Sequence, residues 1–162
     1  MKMKKFRKVA VGGTFDELHK GHRILLLKAF EIGERVLVGL CSDEFVKKLG
    51  KPHVTAPYKE RFTELKTFLM SVDGSEAAEI IPLLDAYGPT VTDACIQALV
   101  VSRETEDNAD RINEKRLMKG LKPLRIVAIN MVPSENCAPI STTKIRRGEI
   151  DREGRLTKKS RN

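Results

Sequence analysis

The sequence predicts one α/β domain built on a doubly wound, five-stranded parallel sheet of the Rossmann-like kind. Two observations predict it: apolar runs of strand length recur along the 162 residues, and segments of helical periodicity separate them. Such alternation is typical of βαβ units, which lay parallel strands side by side beneath helices on both faces. Polar turns follow the strands, and open parallel sheets bind ligands at that edge.

The five predicted strands are apolar runs at residues 9–11, 35–40, 78–84, 99–101 and 124–132. The second is unbroken rather than alternating, which is the pattern of a strand buried on both faces. Pro82 is placed near the end of the third run. Ser102 and Arg103 follow the fourth run, so the sequence predicts polar groups at the edge where ligands bind.

The six predicted helices occupy residues 24–32, 43–46, 57–72, 90–96, 108–119 and 142–147. Gly33 and Gly120 are placed to end the first and the fifth of them. Pro57 suits a first turn, and the apolar residues that follow it recur at spacings of three and four. Ser42 or Asp43 can cap the second helix, and Ser141 the last.

Length and composition bound the domain organisation. The chain has room for one domain, which we place at residues 1–151, followed by a basic, flexible tail at residues 152–162. Cys41, Cys95 and Cys137 are odd in number and far apart, which favours reduced thiols in the cytoplasm over disulfides. No apolar run approaches the ~18 residues of a membrane span, so we expect no membrane partner.

The formal net charge of +8 is compatible with nucleic acid, an anionic membrane face or small anionic substrates. Much of the positive charge lies at the two ends of the chain, where it commonly serves solvation. Aromatic residues make up only 5 % of the chain and tryptophan is absent. Stacking platforms for single strands need aromatic side chains among the basic ones, so we expect no nucleic-acid partner.

Residues 12–22 read Gly-Gly-Thr-Phe-Asp-Glu-Leu-His-Lys-Gly-His and connect the first strand to the first helix. Glycine lacks a Cβ and lets the backbone approach a bulky anion, and a helix start offers unpaired N–H groups and positive potential. If the helix begins at Leu18 or His19, His19 and His22 share one face of its first turn. With the hydroxyl of Thr14, these groups predict a phosphate-binding turn.

A structural turn that carries surface histidines is one alternative for residues 12–22, and a metal site is another. Zinc normally takes further cysteine or histidine ligands at short spacing, and the nearest cysteine, Cys41, is remote in sequence. We therefore expect no metal ligand among these residues.

Residues 140–147 read Ile-Ser-Thr-Thr-Lys-Ile-Arg-Arg and form the second informative cluster. Three hydroxyls, from Ser141, Thr142 and Thr143, open a predicted helix, and Lys144 and Arg146 lie within its first turns. Hydroxyls and N–H groups can bind phosphate oxygens while the basic side chains supply charge. The alternative is an ordinary capped helix at the surface.

Together the two clusters resemble the HxGH nucleotidyltransferase superfamily, in which an Ile-Ser-Ser-Thr-like segment lies across the nucleotide from the histidines. From residue 8 to residue 151 the chain is similar to the archaeal and eukaryotic type of phosphopantetheine adenylyltransferase. Ser-Arg-Glu-Thr at 102–105 and Gly-Leu-Lys-Pro-Leu at 120–124 carry this narrower similarity. A threonine pair, Thr142 and Thr143, stands where that segment usually has serines, and keeps the hydroxyls.

The resemblance implies transfer of adenylate from ATP to the phosphate of 4′-phosphopantetheine, giving dephospho-coenzyme A (dephospho-CoA) and pyrophosphate. It implies Mg²⁺ on the phosphates of ATP rather than in a protein cage, and dephospho-CoA or CoA as further ligands. The attacking phosphate is already anionic, so neither a general base nor a covalent intermediate is needed. Catalysis then consists of alignment and charge stabilisation at the α-phosphorus.

The resemblance also assigns roles to residues. His22 would stabilise the transition state, His19 would support the β- and γ-phosphates, and Thr14 would contact both substrates. Lys48 or Lys51 would bind the acceptor phosphate. The residues implied for ATP are Gly13, Thr14, Phe15, His19, His22, Arg103, Ser141, Thr142, Thr143 and Arg146; those implied for the acceptor are Thr14, Lys48, Lys51 and Arg103.

Three alternatives stay open. The string Ile-Ser-Thr-Thr-Lys-Ile also resembles glycerol-phosphate cytidylyltransferases, so the base could be cytosine. The acceptor could instead be a mononucleotide, that of nicotinamide or flavin. A non-catalytic, basic RNA-binding domain is the alternative of another class, and it would bind with a steep dependence on salt. The oligomeric state does not follow from the sequence.

Overall fold

In the computed structural model, which describes residues 3–161, five strands form one parallel sheet. The strands are β1 (Phe6–Gly13), β2 (Gly33–Cys41), β3 (Ala78–Leu83), β4 (Ala98–Ser102) and β5 (Arg125–Ile129). Their order is β3-β2-β1-β4-β5, so the direction of winding reverses between β1 and β4. The predicted doubly wound sheet is confirmed, and such a reversal is where these sheets bind ligands.

Six α-helices occur in the described part of the chain. They are α1 (Lys20–Ile32), α2 (Asp43–Leu49), α3 (Tyr58–Met70), α4 (Glu106–Met118), α5 (Thr142–Arg146) and α6 (Lys158–Arg161). Two short 3₁₀ turns, Ser75–Ala77 and Gly88–Val91, precede β3 and β4. No helix within residues 3–161 has both the length and the apolar character needed to cross a membrane.

Helices cover both faces of the sheet because successive side chains on each strand point to opposite sides. Val9 and Val11 of β1 join a core that α1 and α3 complete, whereas Ala10 joins a second core with α4. In β4, Val100 belongs to the first core, and Leu99 belongs to the second. The three central strands, β1, β2 and β4, are thus buried on both faces, which the unbroken apolar run at residues 35–40 predicted for β2, whereas the edge strands β3 and β5 are only partly buried.

The helix predicted at residues 90–96 is wrong, because side chains draw this backbone into turns. The carboxylate of Asp93 accepts the N–H of Cys95 at 2.8 Å, which offers the chain an alternative to helical bonds. The buried guanidinium of Arg116 binds the carbonyl oxygens of Thr90 and Asp93 at 2.7 and 2.9 Å. Only the 3₁₀ turn Gly88–Val91 forms.

Gly33 does follow α1, but its backbone is extended, with φ −112°, and it begins β2. A Cβ at this position would lie 2.7 Å from Cγ2 of Val9. Glycine is therefore required here for close packing against β1 rather than for a left-handed turn. Gly120, with φ +73°, takes the left-handed conformation expected of a glycine after a helix.

The described part of the predicted tail, residues 152–161, hydrogen-bonds to the domain. The N–H of Lys20 donates to the carbonyl of Arg152 at 2.9 Å, and that of Glu135 donates to Gly154 at 2.7 Å. The carbonyl of Arg147 accepts the ammonium of Lys159. The division at residue 151 and the flexibility of the tail stay predictions, and residues 1, 2 and 162 lie outside the described residues.

Candidate active site

A cleft of about 670 Å³ opens at the carboxyl ends of the strands. The β1–α1 connection, the end of β2 and the segment after α2 form one side, and the ends of β4 and β5 form the other. The first turn of α5 closes it. Predicted site residues on its wall are Gly13, Thr14, Phe15, His19, His22, Lys51, Ser141, Thr142 and Thr143.

The two predicted histidines form the N-terminal cap of α1. His19 is the N-cap residue, and its Nδ1 accepts the N–H groups of Gly21 and His22 at 3.1 and 3.3 Å. The N–H of His19 donates in return to Nδ1 of His22 at 3.3 Å, which completes a reciprocal capping box. The two rings stack with their centroids 3.6 Å apart. The motif thus fixes both imidazoles before any ligand arrives.

Burial sets the charge state of each ring, and the capping hydrogen bonds set its tautomer. Burial lowers the pKa of His19 to about 4, and the charges of Arg23 and Arg152 act in the same direction. Burial also lowers the pKa of His22 well below its usual value, with further contributions from His19 and Lys51. Because each Nδ1 accepts a backbone N–H, each neutral ring carries its proton on Nε2, which remains as the donor.

The backbone between β1 and α1 is held in uncommon conformations. Phe15 and Glu17 have φ values of +50° and +52°, which are unfavourable for residues that carry a Cβ. Phe15 is only 1 % exposed and packs in the core, with its ring edge-on to His22 at a centroid distance of 5.4 Å. The core therefore stabilises a turn that keeps the backbone of Gly13 and Thr14 on the cleft wall.

Asp16 joins the β1–α1 connection to the start of α5. Its buried carboxylate accepts two hydrogen bonds from Arg146, at 2.8 and 3.2 Å, and one from the N–H of Ala56 at 3.1 Å. Its carbonyl accepts the hydroxyl of Thr142 at 3.0 Å. Burial alone would raise the pKa of Asp16, but the bonds from Arg146 and Ala56 lower it, so the carboxylate is ionised.

Arg61 of α3 stabilises the same edge of the sheet through buried hydrogen bonds. Its guanidinium is 1 % exposed and donates to the carbonyl oxygens of Thr14 and Cys41, at 2.9 and 2.8 Å, where β1 and β2 end. Further bonds go to the carbonyl of Ala56 and to the carboxylate of Asp43. One side chain therefore fixes the relative positions of four segments around the cleft.

The structure separates the two candidate lysines. Lys51 lines the cleft, whereas Lys48 is exposed on the last turn of α2 and lies outside its wall. Gly50 separates the two lysines along the chain. Its left-handed backbone, with φ +61°, ends α2 after Lys48 and redirects the chain before Lys51. The segment that carries Lys51 and His53 then returns across the opening.

Two predicted arginines lie outside the cleft wall. Arg103 is exposed, and its Nη2 donates at 3.3 Å to Asn130, which does line the cleft, so it sits at the rim. Arg146 binds the carboxylates of Asp16 and Glu17. The roles predicted for these and the other site residues stay predictions.

Three residues with contacts at the site were not among those predicted. Asp16 lies inside the first motif, and Arg61 ends the string Pro-Tyr-Lys-Glu-Arg at residues 57–61, within the stretch of residues 8–151 that resembles the family. His53 lies two residues after Lys51 and lines the cleft, and its Nδ1 is 3.0 Å from Oγ1 of Thr143. The sequence contains three histidines, and all of them line this cleft. The scarcity of histidine in the sequence is the signal that could have identified His53 as a site residue.

The rest of the wall is largely apolar. Leu37, Ile81, Leu83 and Tyr87 line one part of the cleft, toward β3, so that end offers a surface for an uncharged group.

No group of three histidine, cysteine, aspartate or glutamate side chains placed to hold a metal ion occurs within residues 3–161.

Comparison with known proteins assigns the family. Residues 10–148 match the cytidylyltransferase-like family. The chain is 46 % identical over 158 residues to the phosphopantetheine adenylyltransferase of Methanothermobacter thermautotrophicus, covering 98 % of this chain and 94 % of the relative. It is also 46 % identical over 147 residues to the phosphopantetheine adenylyltransferase of Methanopyrus kandleri, covering 91 % and 92 % of the two chains.

A solved structure agrees with this assignment at the level of the fold. A protein of unknown function from Archaeoglobus fulgidus superposes with a TM-score of 0.68 at 34 % identity, covering 75 % of this chain and 88 % of that one. The capped histidine pair, the facing hydroxyl turn and the near full-length matches agree with one another. The chain belongs to the cytidylyltransferase-like family of nucleotidyltransferases and, within it, to the phosphopantetheine adenylyltransferases.

Proposed function

We propose that this chain transfers adenylate from ATP to the phosphate of 4′-phosphopantetheine and releases dephospho-CoA and pyrophosphate. One observation carries the proposal: the histidine-capped start of α1 and the hydroxyl turn that begins α5 share one cleft with Lys51. That cleft has the donors for two phosphate groups, and its apolar end suits an uncharged pantetheine arm. Relatives with 46 % identity over nearly the whole chain bear the corresponding name.

The reaction needs alignment more than covalent chemistry from the protein. An oxygen of the acceptor phosphate forms a bond to the α-phosphorus of ATP, while the bond from that phosphorus to the bridging oxygen breaks. The electron pair of the broken bond leaves with pyrophosphate. Because the nucleophile is already anionic, the catalytic task is to hold both phosphates in line and to stabilise the charge that develops between them.

The neutral histidines suit this task as hydrogen-bond donors. Their Nδ1 atoms are occupied by the capping box, so Nε2–H is the donor that each ring can offer to a phosphate oxygen. We assign the α-phosphate to His22 and the outer phosphates to His19. The start of α1 adds its backbone N–H groups and the positive end of the helix dipole.

Thr14 and Lys51 complete the reacting centre in this proposal. Thr14 lies where β1 ends, and Arg61 holds its carbonyl. Lys51 supplies a flexible positive charge for the acceptor phosphate. Magnesium would arrive on the phosphates of ATP and neutralise part of their charge, with the protein contacting it through the nucleotide.

The proposal is tested by measuring pyrophosphate release with ATP or CTP against four acceptors. The acceptors are 4′-phosphopantetheine, glycerol 3-phosphate, nicotinamide mononucleotide and flavin mononucleotide. We expect ATP with phosphopantetheine to give the highest kcat/KM by at least tenfold. A preference for CTP with glycerol phosphate, or for either mononucleotide, would replace this proposal with the corresponding sister reaction.

A second measurement addresses the non-catalytic alternative. A domain whose main role is RNA binding would bind RNA with an affinity that falls steeply as salt rises, and would release no pyrophosphate. We expect turnover with ATP and phosphopantetheine and only weak, non-specific RNA binding at physiological salt. Tight RNA binding without turnover would contradict the proposal.

A further inference from the structure

His53 lies on the segment that crosses the opening of the cleft, between the start of α5 and the β1–α1 connection. Its Nδ1 is 3.0 Å from Oγ1 of Thr143, and its Nε2 is 3.8 Å from Oδ2 of Asp16. The imidazole is only 8 % exposed, and Nε2 is buried without a hydrogen-bond partner among the described residues. A buried polar atom without a partner costs free energy, and such atoms are rare in folded proteins.

The charges that face His53 come from three elements. Lys51 lies on its own segment, Asp16 on the β1–α1 connection, and Arg146 and Arg147 at the end of α5. Burial lowers the pKa of His53, Lys51 and the two arginines lower it further, and Asp16 raises it. The net effect is a lowered pKa and therefore a neutral ring at neutral pH.

The proton on a neutral His53 determines what Thr143 can do. The nearby carboxylate of Asp16 favours the tautomer with the proton on Nε2. Nδ1 is then an acceptor, and the hydroxyl of Thr143 donates its only hydrogen to it. In that state Thr143 presents lone pairs to the cleft and repels a phosphate oxygen instead of binding it.

A protonated His53 reverses this arrangement. The ring then donates from Nε2 toward Asp16 and from Nδ1 to Oγ1 of Thr143, and both contacts become charge-assisted. The hydroxyl hydrogen of Thr143 is released and can point to a phosphate oxygen in the cleft. A phosphate group of ATP bound at Thr143 also adds the negative charge that favours protonation.

We propose that His53 is a positioning residue that switches the hydroxyl of Thr143 from an internal bond to a phosphate donor by taking up a proton when ATP binds. This inference rests on the proposed function, because it assumes that the cleft binds a nucleoside triphosphate. It does not require transfer, since binding alone completes the switch.

The first test uses equilibrium binding of ATP with Mg²⁺, without an acceptor, by titration calorimetry. Titrations at pH 6 in buffers of different ionisation enthalpy give the number of protons taken up. We expect the wild type to take up about half a proton more than His53→Asn, in which the amide can reach Thr143 but cannot titrate. Because His19, His22 and ATP itself titrate equally in both proteins, equal proton uptake would overturn the proposal.

The second test asks whether His53 acts through Thr143. In His53→Ala the hydroxyl of Thr143 loses the charged N–H that orients it toward phosphate, and in Thr143→Val the hydroxyl itself is lost. We expect each change to weaken ATP binding about tenfold, and the double variant to be within about twofold of either single one. Independent effects, which multiply to about a hundredfold, would overturn the proposal, as would unchanged binding by His53→Ala. His53→Asn should recover part of the lost affinity.

Two controls keep the outcomes separate. Unfolding midpoints of each variant identify global destabilisation, and if His53→Ala does not fold, His53→Asn and Thr143→Val carry the test. ATP binding with the expected proton uptake but no adenylate transfer would reject the proposed function and leave this inference intact. Normal adenylate transfer, with effects of the His53 and Thr143 changes on ATP binding that multiply in the double variant, would reject this inference and leave the proposed function intact.

Discussion

The imidazole of His19 occupies the space that a side chain at position 21 would need. A Cβ built on Gly21 would lie 2.9 Å from Cε1 of His19 and 3.1 Å from its Nδ1. Because Nδ1 caps the first turn of α1, the ring cannot move aside without losing two hydrogen bonds. The glycine between the two histidines is therefore a steric condition for the capping box.

The first prediction is that Gly21→Ala destabilises the protein and lowers activity. Alanine in place of glycine within a helix normally stabilises by up to about 1 kcal/mol. Here we expect a loss of about 1 kcal/mol in the free energy of unfolding and at least a tenfold loss in kcat, because the ring of His19 is displaced. Urea unfolding and the pyrophosphate assay measure these effects. A stabilised, fully active variant would contradict the steric argument, and Lys20→Ala, an exposed change on the same turn, is the control.

The second prediction concerns His22. In His22→Asn the amide oxygen can still accept the N–H of His19, but the Nε2–H donor is lost. We expect kcat to fall by about 10²–10³-fold, the loss typical of one preorganised donor, while the unfolding midpoint changes little. Steady-state kinetics at saturating ATP measure the fall in kcat, and thermal unfolding measures the change in the unfolding midpoint. Near wild-type turnover would remove His22 from the reacting centre.

The third prediction separates Lys51 from Lys48. Lys51→Ala should raise KM for phosphopantetheine by about tenfold or more, because it removes a charge from the cleft wall. Lys48→Ala, at an exposed position three residues earlier, is the matched comparison, and we expect a change below about threefold. Initial rates with varied acceptor at fixed ATP give both values. The reverse result would mean that the segment after α2 adopts another path when ligand binds.

The fourth prediction is that the protein becomes less stable in acid because of His19. Its pKa in the folded protein, about 4, lies below the usual 6.5, so the unfolded chain binds more protons between these values. The free energy of unfolding should therefore fall as the pH falls through this window. His19 alone should account for a fall of about 2 kcal/mol in the free energy of unfolding between pH 7 and pH 5.

His19→Asn supplies the control for this effect. Asparagine is a good N-cap and does not titrate in this range, so it should preserve the helix start. Urea unfolding at pH 7, 6 and 5 should give a shallower decline for the variant than for the wild type. Parallel declines would show that His19 does not carry the effect.

The fifth prediction concerns Arg61. Arg61→Met would leave the buried carbonyl oxygens of Thr14, Cys41 and Ala56 without their donor. We expect the free energy of unfolding to fall by about 3–5 kcal/mol, because each buried carbonyl left without a donor costs about 1–3 kcal/mol. Arg35→Met, at an exposed position on β2, should change it by less than about 0.5 kcal/mol. Equal effects in urea unfolding would refute the stabilising role of Arg61.

The sequence by itself determined the elements whose signal is local. Apolar runs predicted the five strands, and the Gly-Gly-Thr-Phe-Asp and His-x-Gly-His strings predicted the turn and the helix start between β1 and α1, because caps and turns depend on near neighbours. The prediction failed at residues 90–96, where the distant Arg116 holds the backbone carbonyls in turns.

Tertiary structure decided which distant groups meet. It placed Lys51 rather than Lys48 on the cleft wall and paired the guanidinium of Arg146 with Asp16. It also brought His53 to Thr143, 90 residues away along the chain. Such contacts depend on how loops cross the carboxyl edge of the sheet, and that path is set by long-range packing that no local pattern of residues encodes.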